Sequence, residues 1–198
     1  MADLSEERAA TAVALTTRLF DREPPRWVLM VLLCAVLVVR GRVMLAFSTT
    51  LDQDPGEFRN IAWRIYNNYT FGLYQSQFGM LTSTASRPPL YPLALAAFRC
   101  SQLRMGAESI GLLNVVWGAC TVWGVWRLAR LWGLSVGASL LASALVGVDP
   151  LLLMQTVQAT PETLATLLGV LSLIALTLAA REEANREIPA AESSVSSG

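Results

Sequence analysis

Asp52 and Asp54 stand two residues apart in the stretch DQDPGEFRNIAW, residues 52–63, and Arg87 opens a second stretch, RPPLYP, residues 87–92. A third stretch, TPETL, residues 160–164, carries Glu162. A carboxylate fixed beside a reacting hydroxyl can take its proton, and partial burial raises its affinity for that proton. A D-x-D pair can share a divalent cation with phosphate oxygens. A guanidinium matches phosphate oxygens two at a time. Each of these residues also has a purely structural reading. Asp54-Pro55-Gly56-Glu57 is a helix start, with Asp at the cap, Pro at the first helical position and Glu three residues after the cap. Thr160-Pro161-Glu162 is a second such start. Asp52 then reads as a solvated loop residue, and Arg87 as an interfacial arginine before a Pro-Pro turn. Pro88, Pro89 and Pro92 are scaffolding on either reading, presetting an extended entry to a helix.

Other chemistries are excluded by composition. The chain of 198 residues has no histidine and no lysine, so all 15 basic residues are arginine. Histidine-ligated zinc, a Ser-His-Asp triad and a lysine Schiff base are ruled out. The net charge is zero, which leaves no basic field for nucleic acid. Cys34, Cys100 and Cys120 lie among apolar neighbours without metal or redox spacing and read as small buried hydrophobes.

The elements that must position these residues are membrane helices. Only 15% of the residues are charged and 54% are hydrophobic, against about 25% charged in a soluble domain. Residues 1–26 are polar and read as a retained cytoplasmic tail. Residues 27–47 form the first apolar run, about the length that crosses a bilayer. Arg40 and Arg42 interrupt its second half, and they either snorkel to the outer interface or face a polar cavity within the bundle. Residues 48–88 are polar to amphipathic. Within them Phe58, Ile61, Ala62, Ile65 and Tyr69 recur at helical spacing, which predicts an amphipathic surface helix over 55–68. The run 89–98 is too short to span and reads as a helix at or dipping into the outer face. Runs at 110–126, 134–148 and 161–180 complete the set. Arg127 and Arg130 place the end of the second span in the cytoplasm by the positive-inside rule. The result is an all-α membrane protein with about four transmembrane helices, plus amphipathic outer-surface helices in a first outer loop, 48–109. Both termini lie inside, and the charged, Ser-rich residues 182–198 are expected to be disordered. A five-span alternative counts 89–105 as a crossing and puts Glu162 inside.

The order of motifs resembles the N-terminal part of the GT-C superfamily, the polytopic glycosyltransferases that include protein O-mannosyltransferases and lipid A aminoarabinose transferases. Asp54, Phe58 and Ala62 match an outer-loop Asp followed by an aromatic and an Ala at four-residue steps. Gly72-Leu73-Tyr74 matches a G-x-Y, and Arg87-Pro88-Pro89-Leu90-Tyr91-Pro92 matches an R/K-P-P-x-Y-P element. The stretch from Pro150 through Thr160-Pro161-Glu162-Thr163-Leu164 matches a P-x-L…[S/T]-x-E-x-L pattern. The likeness covers roughly 27–181, a GT-C-like N-terminal transmembrane module. Position 58 is Phe where relatives usually have Tyr, and those relatives continue for many more spans.

The resemblance implies transfer of a sugar from a polyprenyl-phosphate donor to an acceptor at the outer membrane face. It makes Asp54 the catalytic base and Glu162 a second catalytic acid residue, with Arg87, Asp52 and Tyr91 binding substrate. No cofactor is implied; the D-x-D pair leaves a divalent metal as an option. The implied partners are the lipid-linked donor, membrane lipid and a separately encoded C-terminal half, with no nucleic acid. The implied location is a multi-pass place in the inner or plasma membrane. The alternative is a catalytically incomplete membrane module, or a subunit that binds lipid-linked sugar. A small transporter or pore is a third reading, disfavoured because Asn114 is nearly alone as a polar residue within the spans.

Overall fold

The computed structural model describes residues 26–47, 57–68, 71–75, 80–82, 87–98 and 107–195. The first helix, α1, is Arg26–Ala46. It is followed by α2 (Phe58–Asn68), a short hairpin of β1 (Leu73–Gln75) and β2 (Met80–Thr82), and α3 (Leu90–Ala97). Then come α4 (Ala107–Leu131), α5 (Val136–Val148), α6 (Pro150–Met154), a 3₁₀ turn at Gln155–Val157, and α7 (Glu162–Val195). The strands pair antiparallel with Tyr74 opposite Leu81. The sequence reading did not anticipate this hairpin.

Three helices are long and apolar enough to cross a membrane, over Trp27–Ala46, Ser109–Leu131 and Glu162–Glu183. A fourth crossing forms if α5 and the Pro150–Val157 segment, bent by 46° from it, are taken as one broken span. The protein is thus an all-α, multi-pass membrane protein of three to four spans. At about 1.5 Å per residue, the eight residues of α3 reach about 12 Å, well short of the hydrocarbon thickness of about 30 Å.

Helix α4 is central and packs against α1, α5 and α7. Small residues make this close packing possible, as in many membrane bundles. A Cβ at Gly124 would stand 2.8 Å from Val170 Cγ1 of α7. On α5 the buried hydroxyls of Ser139 and Ser143 donate back to Ser135 O and Ser139 O at 2.9 and 2.8 Å, so neither enters the apolar interior unpartnered. By contrast, Trp27, Met30, Val38 and Leu45 of α1 and Leu171, Leu173 and Leu176 of α7 are exposed.

The turn from α4 to α5 follows a helix-stop rule. Gly133 has φ +80°, its N–H bonds Arg130 O at 3.1 Å, and Leu134 N–H reaches back to Ala129 O at 3.0 Å. That is the paired bonding of a Schellman end, and its left-handed residue is a glycine. Around the same end Arg130 Nη1 donates to Leu134 O at 2.7 Å, Trp132 Nε1 to Thr177 Oγ1 at 3.1 Å, and Arg181 to Leu131 O.

Three expectations need correction. Helix α2 begins at Phe58, not Pro55; its first bond runs from Ile61 N–H to Glu57 O at 3.0 Å, so Glu57 holds the cap position, with φ +53°. Cys34 and Cys120 are exposed on their helices rather than buried, while Cys100 lies outside the described residues. Helix α7 runs on to Val195, carrying helical backbone into the stretch whose composition reads as disorder. Its Ala, Glu and Arg residues are good helix formers.

Candidate functional site

The starts of four helices converge at one end of the bundle. Phe58 and Ala62 of α2, Tyr91 and Leu95 of α3, Ile110, Leu113 and Trp117 of α4, and Leu164 and Leu167 of α7 form one buried cluster, joined by Ala159. Met44, near the end of α1, packs against it. The alternation that made α2 look amphipathic in sequence decides this: Phe58, Ile61 and Ala62 are buried, while Asn60, Trp63 and Asn67 are exposed. Tyr91 stands edge-on to Phe58, with ring centroids 5.3 Å apart and planes at 88°, and lies 6.0 Å from the Trp117 ring. Such aromatic contacts favour fixed geometry as well as burial. Tyr91 therefore has a packing role in the core, at 1% exposure.

Arg87 sits at the rim of this cluster, its guanidinium carbon 5.9 Å from the Phe58 ring centroid. At that distance the ring face attracts the cation. The buried Nε of Arg87 has no hydrogen-bond partner among the described residues. Glu162 is exposed as the first residue of α7, and its carbonyl accepts from Thr166 Oγ1 at 2.8 Å. The cap expected from Thr160 is not made: Ala165 N–H bonds Pro161 O at 2.8 Å, and Thr160 Oγ1 has no partner among the described residues. Asp52 and Asp54 lie outside the described residues, so α2 shows only where the loop that carries them ends. Among the described residues no group of three His, Cys, Asp or Glu side chains could hold a metal ion.

The polar feature that sequence reasoning left open is Arg40. Of the two arginines in the first span, Arg42 is exposed and Arg40 is buried, at 1% exposure. Its Nη1 donates to Leu152 O at 3.2 Å and to Thr156 Oγ1 at 2.9 Å. Its guanidinium lies so close to α4 that a Cβ at Gly118 would be 2.5 Å from Nη1. Arg40, Gly118, Thr121, Leu152, Thr163 and Thr166 line a small, half-open cleft. Neither Arg87 nor Glu162 lines it. Asp149 caps α6 by accepting Leu152 N–H at 2.9 Å.

The family model described as dolichyl-phosphate-mannose-protein mannosyltransferase matches residues 86–194, more than half of the chain. The match begins just before Arg87 and takes in α3 through almost all of α7. No curated protein and no solved structure matches the chain.

Proposed function

The chain belongs to the dolichyl-phosphate-mannose-protein mannosyltransferase family, a GT-C family, and from that premise we propose that it moves a sugar from a polyprenyl-phosphate donor to an acceptor hydroxyl at the outer membrane face. The observation that carries this reading is the family match over 86–194, which holds both the Arg87-Pro-Pro-Leu-Tyr-Pro element and Glu162. The bundle geometry supports it further. Arg87, the first turn of α2 and the first turn of α7 belong to one end of the molecule, through the shared cluster of Phe58, Tyr91 and Leu164.

In the proposed reaction the acceptor oxygen attacks the anomeric carbon as the bond from that carbon to the phosphate oxygen breaks. The electron pair of that bond leaves with the polyprenyl phosphate, and configuration inverts. The Asp54 carboxylate takes the acceptor proton. Arg87 faces the phosphate charge that develops, with its guanidinium braced on Phe58 and Nε free of protein partners among the described residues. Glu162 contributes a second carboxylate from the start of α7. The proposed domain plan is a cytoplasmic tail over 1–26, the transferase-like module over 27–181 with its outer loop at 48–109, and a cytoplasmic tail over 182–198.

A second reading makes the chain an incomplete module or donor-binding subunit, to be completed by a separately encoded C-terminal half. The exposed apolar faces of α1 and α7 are compatible with it, since further spans as well as lipid can cover them. One experiment addresses both readings. Purified chain is given labelled polyprenyl-phosphate mannose and an acceptor, alone and together with membrane proteins encoded beside it. Transfer by the chain alone supports the first reading, and transfer only with a neighbour supports the second. Donor turnover in neither case would refute both.

A further inference from the structure

Where a helix breaks inside a bilayer its carbonyls lose their partners, and no water replaces them. The break at Asp149-Pro150 and the 3₁₀ turn after it create that problem, and side chains from three other helices answer it. Arg40 of α1 donates to Leu152 O and Thr156 Oγ1 at 3.2 and 2.9 Å. Asn114 of α4 donates Nδ2 to Gln158 O at 3.0 Å, with Gln155 O and Thr156 O at 3.4 and 3.5 Å. From α7, Thr163 Oγ1 reaches the same Gln155 O at 3.5 Å. Arg40 and Asn114 are both buried, at 1% and 0% exposure, and neither belongs to the set assigned above to transfer.

We infer that Arg40 and Asn114 are positioning residues. They lock Leu152–Gln158 against α1 and α4, and so fix where α7 starts, with Thr163 turned inward beside Arg40 and Glu162 left outward. The short link from Gln158 to Pro161 leaves the chain little freedom once the lock is made, and Ala159 within it is fully buried. Both side chains are suited to the task. Arginine carries several donors in a planar fork, and an asparagine amide has two donors for carbonyls that converge from a turn. The effect on turnover rests on the transfer reading; the lock itself does not.

The test uses the full chain in detergent or nanodiscs with Arg40→Gln, Arg40→Lys and Asn114→Leu. Amide exchange should accelerate about tenfold or more over 152–163 in Arg40→Gln and Asn114→Leu, and stay unchanged over 168–178. Lysine at 40 should restore most of the protection. Spin labels at positions 60 and 162, in a cysteine-free background, should give a narrow distance distribution that broadens in the same two variants. In the transfer assay kcat should fall about tenfold to hundredfold while KM for the donor stays constant. Unchanged exchange, exchange that rises equally along α4 and α7, or an unaltered distance distribution would overturn the inference. So would full kcat in a variant whose residue 162 has moved. Absence of transfer by the unmodified chain, both alone and with its encoded neighbours, would remove the donor reading, and the exchange and distance results would still decide the lock.

Discussion

Gly118→Ala should destabilise the protein although alanine is the better helix former. Replacing an interior helical glycine by alanine ordinarily stabilises by about 1 kcal/mol. At position 118 the new Cβ would lie 2.5, 2.7 and 2.9 Å from Nη1, Cζ and Nε of Arg40. A guanidinium is the flexible end of its side chain, so it would move rather than let the backbone yield. Moving it breaks the bonds of Nη1 to Leu152 O and Thr156 Oγ1. Hydrogen bonds to charged groups contribute about 1.5–3 kcal/mol each. Allowing for partial repair, the loss is about 2–4 kcal/mol, and the net cost about 1–3 kcal/mol. Gly169 on α7 is the control, because a Cβ there meets nothing within 4 Å, and Gly169→Ala should be neutral or stabilising. Thermal unfolding at one fixed scan rate, in one detergent, reads both. The decisive comparison is a double-mutant cycle: with Arg40→Ala already in place, Gly118→Ala should cease to destabilise. An equal loss in both backgrounds would refute the contact as its cause.

Three further outcomes are expected. Asp54→Asn should lower transfer by about a hundredfold or more with little change in melting, and retained activity would remove Asp54 as the base. Glu57→Gly should raise the melting temperature, because a left-handed backbone costs a non-glycine residue about 1–2 kcal/mol; a lower one would mean that the Glu57 side chain outweighs that strain. In sealed cells, cysteine placed at the exposed Asn60 should react with an impermeant maleimide from outside while cysteine at Leu134 is protected, and the reverse pattern would invert the proposed topology.

Much of the scaffold was legible because a bilayer imposes a length and a composition on whatever crosses it. The runs at 27–47, 110–126 and 134–148 fall on α1, α4 and α5, and Arg127 and Arg130 fall at the end of α4. The amphipathic face of α2 was legible for a similar reason, since Phe58, Ile61 and Ala62 recur with the helical period. The start of that helix was not. Pro55 fits a first helical turn, and nothing in a glutamate announces the left-handed backbone that Glu57 adopts. The cysteines were misread for a reason particular to membranes. Apolar neighbours distinguish core from water, but lipid is as apolar as the core, so Cys34 and Cys120 look the same in sequence whether they face protein or hydrocarbon.

Arg40 shows where sequence reading stops and why. A charge within a span is a signal of polar company, and its sequence left two fates open. Choosing between them needs three facts that stand far apart along the chain. Gly118 must leave space on α4, the helix must break at Asp149-Pro150, and Thr156 must then turn its hydroxyl toward α1. Each has an ordinary local explanation: a small residue in a membrane helix, a proline turn, a threonine in a loop. Their meaning is joint, and it follows from one constraint, that a broken span in hydrocarbon must find donors for its carbonyls. A buried arginine or asparagine in a first or central span is therefore a reason to look for a break elsewhere in the bundle. In this chain that break leads directly into the helix start that carries Glu162.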